Sequence, residues 1–379
     1  MTASRSPGLR PLDIVIFGLS ITSAWGNGHA TTYRALIHAL RRRGHRVRFF
    51  ERNVPWYEQH RDLPAPAYCK VELYSALEEL EHHVEDITRA DLVMIGSYVP
   101  EGRRVIDWVL PRAGGVKAFY DIDTPVTVGQ LARGACEYLD ARQVPLFDLY
   151  LSFAGGPILE RLSAGFGASR PRPFYCAVEP RDYYPFPAAT KRYDLGYLGT
   201  YSADRQPALE RLLLEPARRW RQGAFYVAGA QYPSSIRWPV NVERAEHLAP
   251  AMHRGFYNRQ RMTLNITRAD MVANGYSPSV RLFEAAACAV PIISDAWPGL
   301  EEFFQPGKEI LLASEASDVL DYLRAVHETE LRKIGVRARQ RVLESHTADH
   351  RAAELEGHLA ELLPACLPTH GLQRGALAV

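Results

Sequence analysis

The chain has 379 residues, 47% apolar and 23% charged, which excludes wholesale disorder and supplies material for two hydrophobic cores. Lys+Arg total 45 against 43 Asp+Glu, and only five of the 45 are lysine. A net charge of +2 argues against a general polyanion binder and leads us to expect no nucleic-acid partner, while leaving room for a local basic pocket.

The elements alternate strand and helix along the chain, the pattern of parallel sheets covered on both faces. Leu12 to Gly18 (LDIVIFG) is the first strand, a nearly continuous apolar run. A loop with Gly26 and Gly28 follows, then a helix from about His29 to Arg43, then a strand at Val47 to Phe50. Further strands are predicted at Leu92 to Gly96, Val116 to Tyr120, Leu149 to Phe153 and Phe174 to Val178, with helices at Tyr74 to Ile87 and Pro157 to Leu162. The Pro- and Tyr-rich segment Glu179 to Lys191 reads as a linker, because proline interrupts helix and ladder alike. The pattern then restarts. Strands are expected at Leu195 to Gly199, Phe225 to Gly229, Val240 to Arg244, Met262 to Thr267, Val290 to Ser294 and Ile310 to Leu312. Helices are expected at Gln206 to Trp220, Pro250 to Asn258 and Ser279 to Cys288, then through most of Ser314 to Leu363. Pro364 to Val379 reads as a loose end.

The expected architecture is α/β: two doubly wound Rossmann-like domains facing an interdomain cleft, with C-terminal helices. The division is 11–182, a linker at 183–192, 193–345, and a C-terminal helix and tail at 346–379 that packs back on the first domain. Cys69, Cys136, Cys176, Cys288 and Cys366 are scattered and never form a C-x-x-C pair, which leaves no zinc framework and fits a reducing cytoplasm. Met1 to Pro11 has no apolar signal-peptide core, and no apolar run approaches the roughly 18 residues of a membrane-spanning helix. The expectation is a cytoplasmic protein without a transmembrane segment, with peripheral membrane contact left open.

In open parallel sheets ligands bind beyond the carboxyl ends of the strands, which selects the loops. Gly26-Asn27-Gly28 lets the backbone approach a ligand, the next helix offers free N–H groups, and Trp25 is a candidate platform for a sugar ring. G-x-G-x-x-G is absent, which disfavours a dinucleotide-dependent dehydrogenase. His29 at the helix start is disfavoured as a cation by the helix dipole and so is a candidate proton acceptor, or a plain capping histidine. Asp121-Ile122-Asp123 ends a strand with two carboxylates. Asp123 is the candidate base for an acceptor hydroxyl and Asp121 a candidate acceptor contact. The same pair would also suit a divalent metal or a simple turn before Pro125.

In the second half, Gly199-Thr200-Tyr201 leads to Arg205 at a helix start, a combination of close backbone approach and guanidinium that suits a diphosphate. Ser277, Ser279, Val280 and Arg281 form a second helix start with hydroxyls for capping and N–H groups for a phosphate. Glu284 shares a face with Arg281 and can accept hydrogen bonds from two ribose hydroxyls.

At these residues the chain resembles the glycosyltransferases of GT-B fold, and most closely their CgeB-like (spore-maturation-type) branch. The carriers are DLGYLGTYSADRQPALERLL from Asp194, FYVAGAQYP from Phe225, NVERAEHL from Asn241, QRMTLNITRADM from Gln260, GYSPSVRLFEAAACAVPIISDAWPGLEEFF from Gly275 and PGKEIL from Pro306, with YDIDTPVT and DLYLSFAGGP in the first half. The resemblance implies transfer of a sugar from a nucleotide diphosphate sugar, of UDP type, to an acceptor hydroxyl, with no further cofactor and no metal. It implies that Glu284 holds the donor ribose, Arg205 meets the diphosphate, the helix start from Ser277 to Arg281 cradles phosphate, and His247 and Leu248 lie at the base-binding strand end. Many retaining relatives carry a second glutamate in an E-x7-E pattern, and here that position is Tyr276. Inversion and retention both stay open, as does the acceptor: a glycan, a lipid-linked sugar, a protein or a small molecule. Alternative readings are a nucleotide-sugar epimerase of the same shape, a non-catalytic nucleotide-sugar binder, and a metal-dependent transferase built on Asp121 and Asp123.

Overall fold

The computed structural model describes residues 10–186 and 189–363. In the first half, β1 (Asp13–Gly18), β2 (Arg46–Arg52), β3 (Lys70–Tyr74), β4 (Leu92–Gly96), β5 (Val116–Asp121), β6 (Leu149–Ser152) and β7 (Pro171–Pro173) form one sheet in the order 3-2-1-4-5-6-7. Every pairing is parallel. Alternate side chains divide between two cores: Val15, Phe17, Val93 and Ile95 pack on one face, and Ile14, Ile16, Leu92 and Met94 on the other. A strand buried on both faces explains the near-continuous apolar runs in the sequence.

The second sheet holds β8 (Tyr193–Leu198), β9 (Phe225–Ala228), β10 (Val242–Ala245), β11 (Gln260–Asn265), β12 (Ile292–Ser294) and β13 (Leu311–Leu312) in the order 10-9-8-11-12-13. It too is wholly parallel. The two sheets are doubly wound, with strand order reversing beside β1 and beside β8. One core is shared: Ile14, Leu36 and Tyr120 of the first domain and Leu282, Phe283 and Ile310 of the second belong to the same buried cluster.

Three expectations are corrected. Tyr74 to Ile87 is not one helix. It is the end of β3, a 3-10 segment Leu77–His83 and a short helix Val84–Arg89. β3 is an edge strand in which only Tyr74 of KVELY is buried, so it lacks the apolar run used to find the others. No strand spans Phe174 to Val178. The edge strand is β7, three residues earlier, where prolines are tolerated because an edge leaves N–H groups unpaired. The helix Gln206 to Trp220 loosens into a π segment, Glu210–Leu214, ahead of Pro216.

The C-terminal helices Ala316–Ala325, Glu328–Ser345 and Ala348–Ala360 follow β13. The last packs against the Gly28–Arg42 helix of the first domain. Glu356 there accepts from Arg43 at 2.6 Å and pairs with His45 at 2.9 Å, all three buried, while Arg42 reaches both Glu179 and Asp349. Parallel bridging of Val178 to Thr347 marks the return of the chain to the first domain. The expected loose end Pro364 to Val379, with Cys366, lies outside the described residues. Among the described residues no helix is long and apolar enough to cross a membrane.

Candidate active site

The carboxyl ends of the two sheets face one cavity of about 600 Å³. The loop after β1 contributes Asn27, Gly28 and His29; the loops after β4 and β5 contribute Tyr98 and Asp123. From the second domain come Thr200 and Arg205 after β8, His247 and Leu248 after β10, and Thr267 and Arg268 after β11. The helix Val280–Ala287 supplies Val280, Arg281 and Glu284, with Ser279 at its N-cap. The structure therefore brings together twelve of the sixteen residues singled out from the sequence, drawn from both domains.

Arg281 donates through Nε to the Leu198 carbonyl and through Nη1 to Asn265 Oδ1 at 2.8 Å, with its guanidinium over the Tyr197 ring. Arg205 donates to the Thr200 carbonyl at 2.7 Å, and its buried Nε has no partner. Both arginines thus flank Gly199. Backbone crowds this point: a Cβ on Gly229 would lie 1.9 Å from the Gly199 carbonyl oxygen, so only glycine allows the two strand ends to meet. Ser279 does not cap its helix as expected. Its hydroxyl donates to Asn265 Oδ1 at 2.8 Å, which leaves the first N–H groups of the helix without a side-chain cap at the edge of the cavity. Glu284 is 2% exposed; its Oε2 accepts from the Tyr257 hydroxyl at 2.9 Å and lies 3.8 Å from His253.

On the opposite wall Asp123 stands at the N-cap of the helix Thr124–Ala132. Its Oδ2 lies 3.3 Å from Arg268 Nη1 of the second domain and 4.0 Å from His29 Nε2. His29 has a buried Nδ1 without a partner. Burial pushes its pKa down; Asp123 works against that shift and Arg268 adds to it, so the imidazole is neutral near neutral pH and able to take a proton. Tyr98, in the left-handed region at φ 62°, packs its ring edge-on to His29 and closes the group.

Four expected residues do not line the cavity. Asp121 is fully buried, accepts from Thr127 at 2.7 Å and from the Tyr150 hydroxyl at 2.6 Å, and points into the first domain. Asp121 closes β5, whereas Asp123 lies beyond the strand at the N-cap of the next helix, so the two carboxylates sit in different surroundings and do not form a joint metal site. Among the described residues no cluster of three or more His, Cys, Asp or Glu side chains could hold a metal ion. Trp25 packs against Trp56, His60 and His247 at centroid distances of 4.5, 4.7 and 6.1 Å, so its ring joins the two domains at the rim. Tyr201 packs on Tyr232, and Ser277 is buried beside the strained Tyr276. Conversely, Arg268, Tyr98 and Tyr257 line the cavity and were not singled out. Arg268 stands within the quoted QRMTLNITRADM stretch, one step past the end of a predicted strand, and that position is the signal that was available.

Comparisons with known proteins bear on the fold and on the second domain's sequence. Residues 205–357, less than half of the chain, match a family model described as glycosyl transferase-like. No curated protein sequence matches. Among solved structures, sucrose-phosphate synthase from Thermosynechococcus elongatus superposes with a TM-score of 0.66 at 14% identity, covering 92% of this chain and 98% of that one. Anabaena Alr3699/HepE in complex with UDP and glucose gives a TM-score of 0.69 at 11% identity, covering 93% and 100%. An alpha-glucosyltransferase in complex with UDP and a 13-mer DNA gives 0.68 at 9% identity, covering 93% and 100%. The chain therefore has the two-domain fold of the GT-B glycosyltransferases, and its second domain carries the glycosyl transferase-like sequence signature.

Proposed function

We propose that the protein transfers a sugar from a nucleoside diphosphate sugar, of UDP type, to an acceptor hydroxyl in this cleft. The observation that carries the reading is the pairing of Arg205, Arg281, Glu284 and an uncapped helix start on one wall with Asp123 and His29 on the other. The solved relatives in complex with UDP or UDP-glucose support the choice of donor. The motifs of the second domain support the CgeB-like branch.

In this reading the diphosphate lies against the helix N–H groups between Arg205 and Arg281, the ribose hydroxyls donate to Glu284, and the base lies by His247 and Leu248. Transfer breaks the bond from the anomeric carbon to the diphosphate oxygen and forms one to the acceptor oxygen. The departing diphosphate gains negative charge, which the arginines and the helix dipole stabilise without a metal. The acceptor proton passes to Asp123 or to neutral His29 if the anomeric centre inverts. If it is retained, the same groups orient the sugar. Tyr276 occupies the E-x7-E position and is wedged between Gly156 and Gly299, so no carboxylate is supplied there.

The test is a thermal-shift panel of nucleoside diphosphates and their sugars, followed by an assay of nucleoside diphosphate release with candidate acceptors. A UDP-type ligand is expected to raise the melting temperature, and release is expected to require an acceptor. A panel without any stabilising ligand contradicts the reading. Turnover of donor to an epimer without acceptor replaces it with the epimerase.

A further inference from the structure

Three arginines line the cleft from the second domain, and they differ in what holds them. Arg281 and Arg205 are tied to carbonyls and to Asn265 of their own domain. Arg268 instead reaches across the cleft to a carboxylate of the first domain, 145 residues away in sequence. Its backbone is pinned on both sides. Thr267 donates twice to Asp295, at 3.0 and 2.8 Å, and the Ala269 N–H donates to Asp204 at 2.9 Å. The Arg268 side chain extends from this anchored backbone toward Asp123. It is 35% exposed, and its 3.3 Å contact with Asp123 is longer than a well-formed charge-assisted hydrogen bond of about 2.8 Å.

We propose that the Arg268–Asp123 pair is a latch that the donor opens. Without donor, Arg268 holds the Asp123 carboxylate. An incoming diphosphate presents more charge and two oxygens to the guanidinium fork, draws Arg268 to itself, and leaves Asp123 to the acceptor hydroxyl. The latch rests on the donor reading given above and extends it: the acceptor side is armed only after donor has bound. The acidic group and the donor then compete for one cation, and such coupling is reciprocal. Removing the Asp123 charge must tighten donor binding, and must do so only while Arg268 is present.

The test is a double-mutant cycle read by calorimetry, with UDP and UDP-glucose as probes. Asp123→Asn is expected to tighten binding about fivefold, the upper end for a partly exposed ion pair. Arg268→Ala is expected to weaken it roughly tenfold, the loss of one hydrogen bond to a charged group. In the Arg268→Ala background Asp123→Asn is expected to change nothing. Equal tightening in both backgrounds would mean direct repulsion between Asp123 and the diphosphate, and would overturn the latch. No tightening in either background overturns it as well. Arg268→Gln, which keeps the side-chain stem, repeats the cycle if the alanine loosens the loop. A wild-type protein that binds neither probe nor any other nucleotide sugar overturns the donor reading itself, so the two failures are told apart.

Discussion

Asp121 and Asp123 stand two residues apart at the end of β5 and meet different surroundings. Asp123 faces the cleft, with the Arg268 guanidinium and the His29 ring beside it. Asp121 is enclosed, and burial pushes its pKa up to about 7 despite the hydrogen bonds from Thr127 and Tyr150, with Asp123 adding to the rise. The sign follows from linkage. The folded state keeps a proton on Asp121 that the unfolded chain releases near pH 4, so this residue costs stability progressively as pH rises from about 4 through 7. Asp121→Asn removes that cost. The variant is expected to gain on wild type as pH goes from 5 to 8 in denaturant titrations, with turnover within a few-fold of wild type. Asp123→Asn is expected to lose about 100-fold or more in turnover, the usual scale for a general base. Equal losses for the two would place Asp121 in the chemistry. The sequence offered both carboxylates to the ligand, Asp123 as base and Asp121 as acceptor contact, because the enclosure of Asp121 comes in part from Tyr150 on a strand 29 residues away.

At the scale of elements, the helix Val280–Ala287 is placed by the segment before it. Tyr276, itself at φ 50°, accepts at its carbonyl from the Gly155 N–H at 2.9 Å and donates its own N–H to the Pro298 carbonyl at 2.7 Å. Its ring lies where a Cβ on Gly156 would come within 2.3 Å. Gly156 also has φ 66° and ψ −146°, a region open essentially to glycine alone. The loop after β6 of the first domain therefore clasps the entry to the ligand helix of the second. Gly156→Ala is expected to cost about 1–3 kcal/mol in chemical denaturation and to weaken donor binding, because the strain falls on the helix entry. A variant as stable as wild type, with unchanged donor affinity, would show that the clasp carries no load. This helix was readable in advance, since its serines, arginine and glutamate are local in sequence. Its clasp was not, since Gly155 and Tyr276 are distant in the chain and their meeting depends on how the domains face each other.

At the scale of the whole molecule, the fold was legible wherever a strand is buried on both faces. β4 and β5 came out within a residue of their observed bounds, because central parallel strands need continuous apolar runs. Edge strands β3 and β7 were missed because solvent on one side relaxes that demand. The cleft walls were legible as two lists of loop residues, but their apposition was not: the ion pair from Arg268 to Asp123 and the packing of Trp25 on His247 arise only when the domains face each other. The central claim is that the second domain grips the donor's diphosphate and ribose at this apposed surface. Calorimetric titration of UDP-glucose into wild type, Arg205→Ala, Arg281→Ala and Glu284→Ala tests it most directly. The account predicts binding to wild type and a loss of roughly tenfold or more in each variant, the cost of removing one hydrogen bond to a charged group. Variants that bind as tightly as wild type would contradict it.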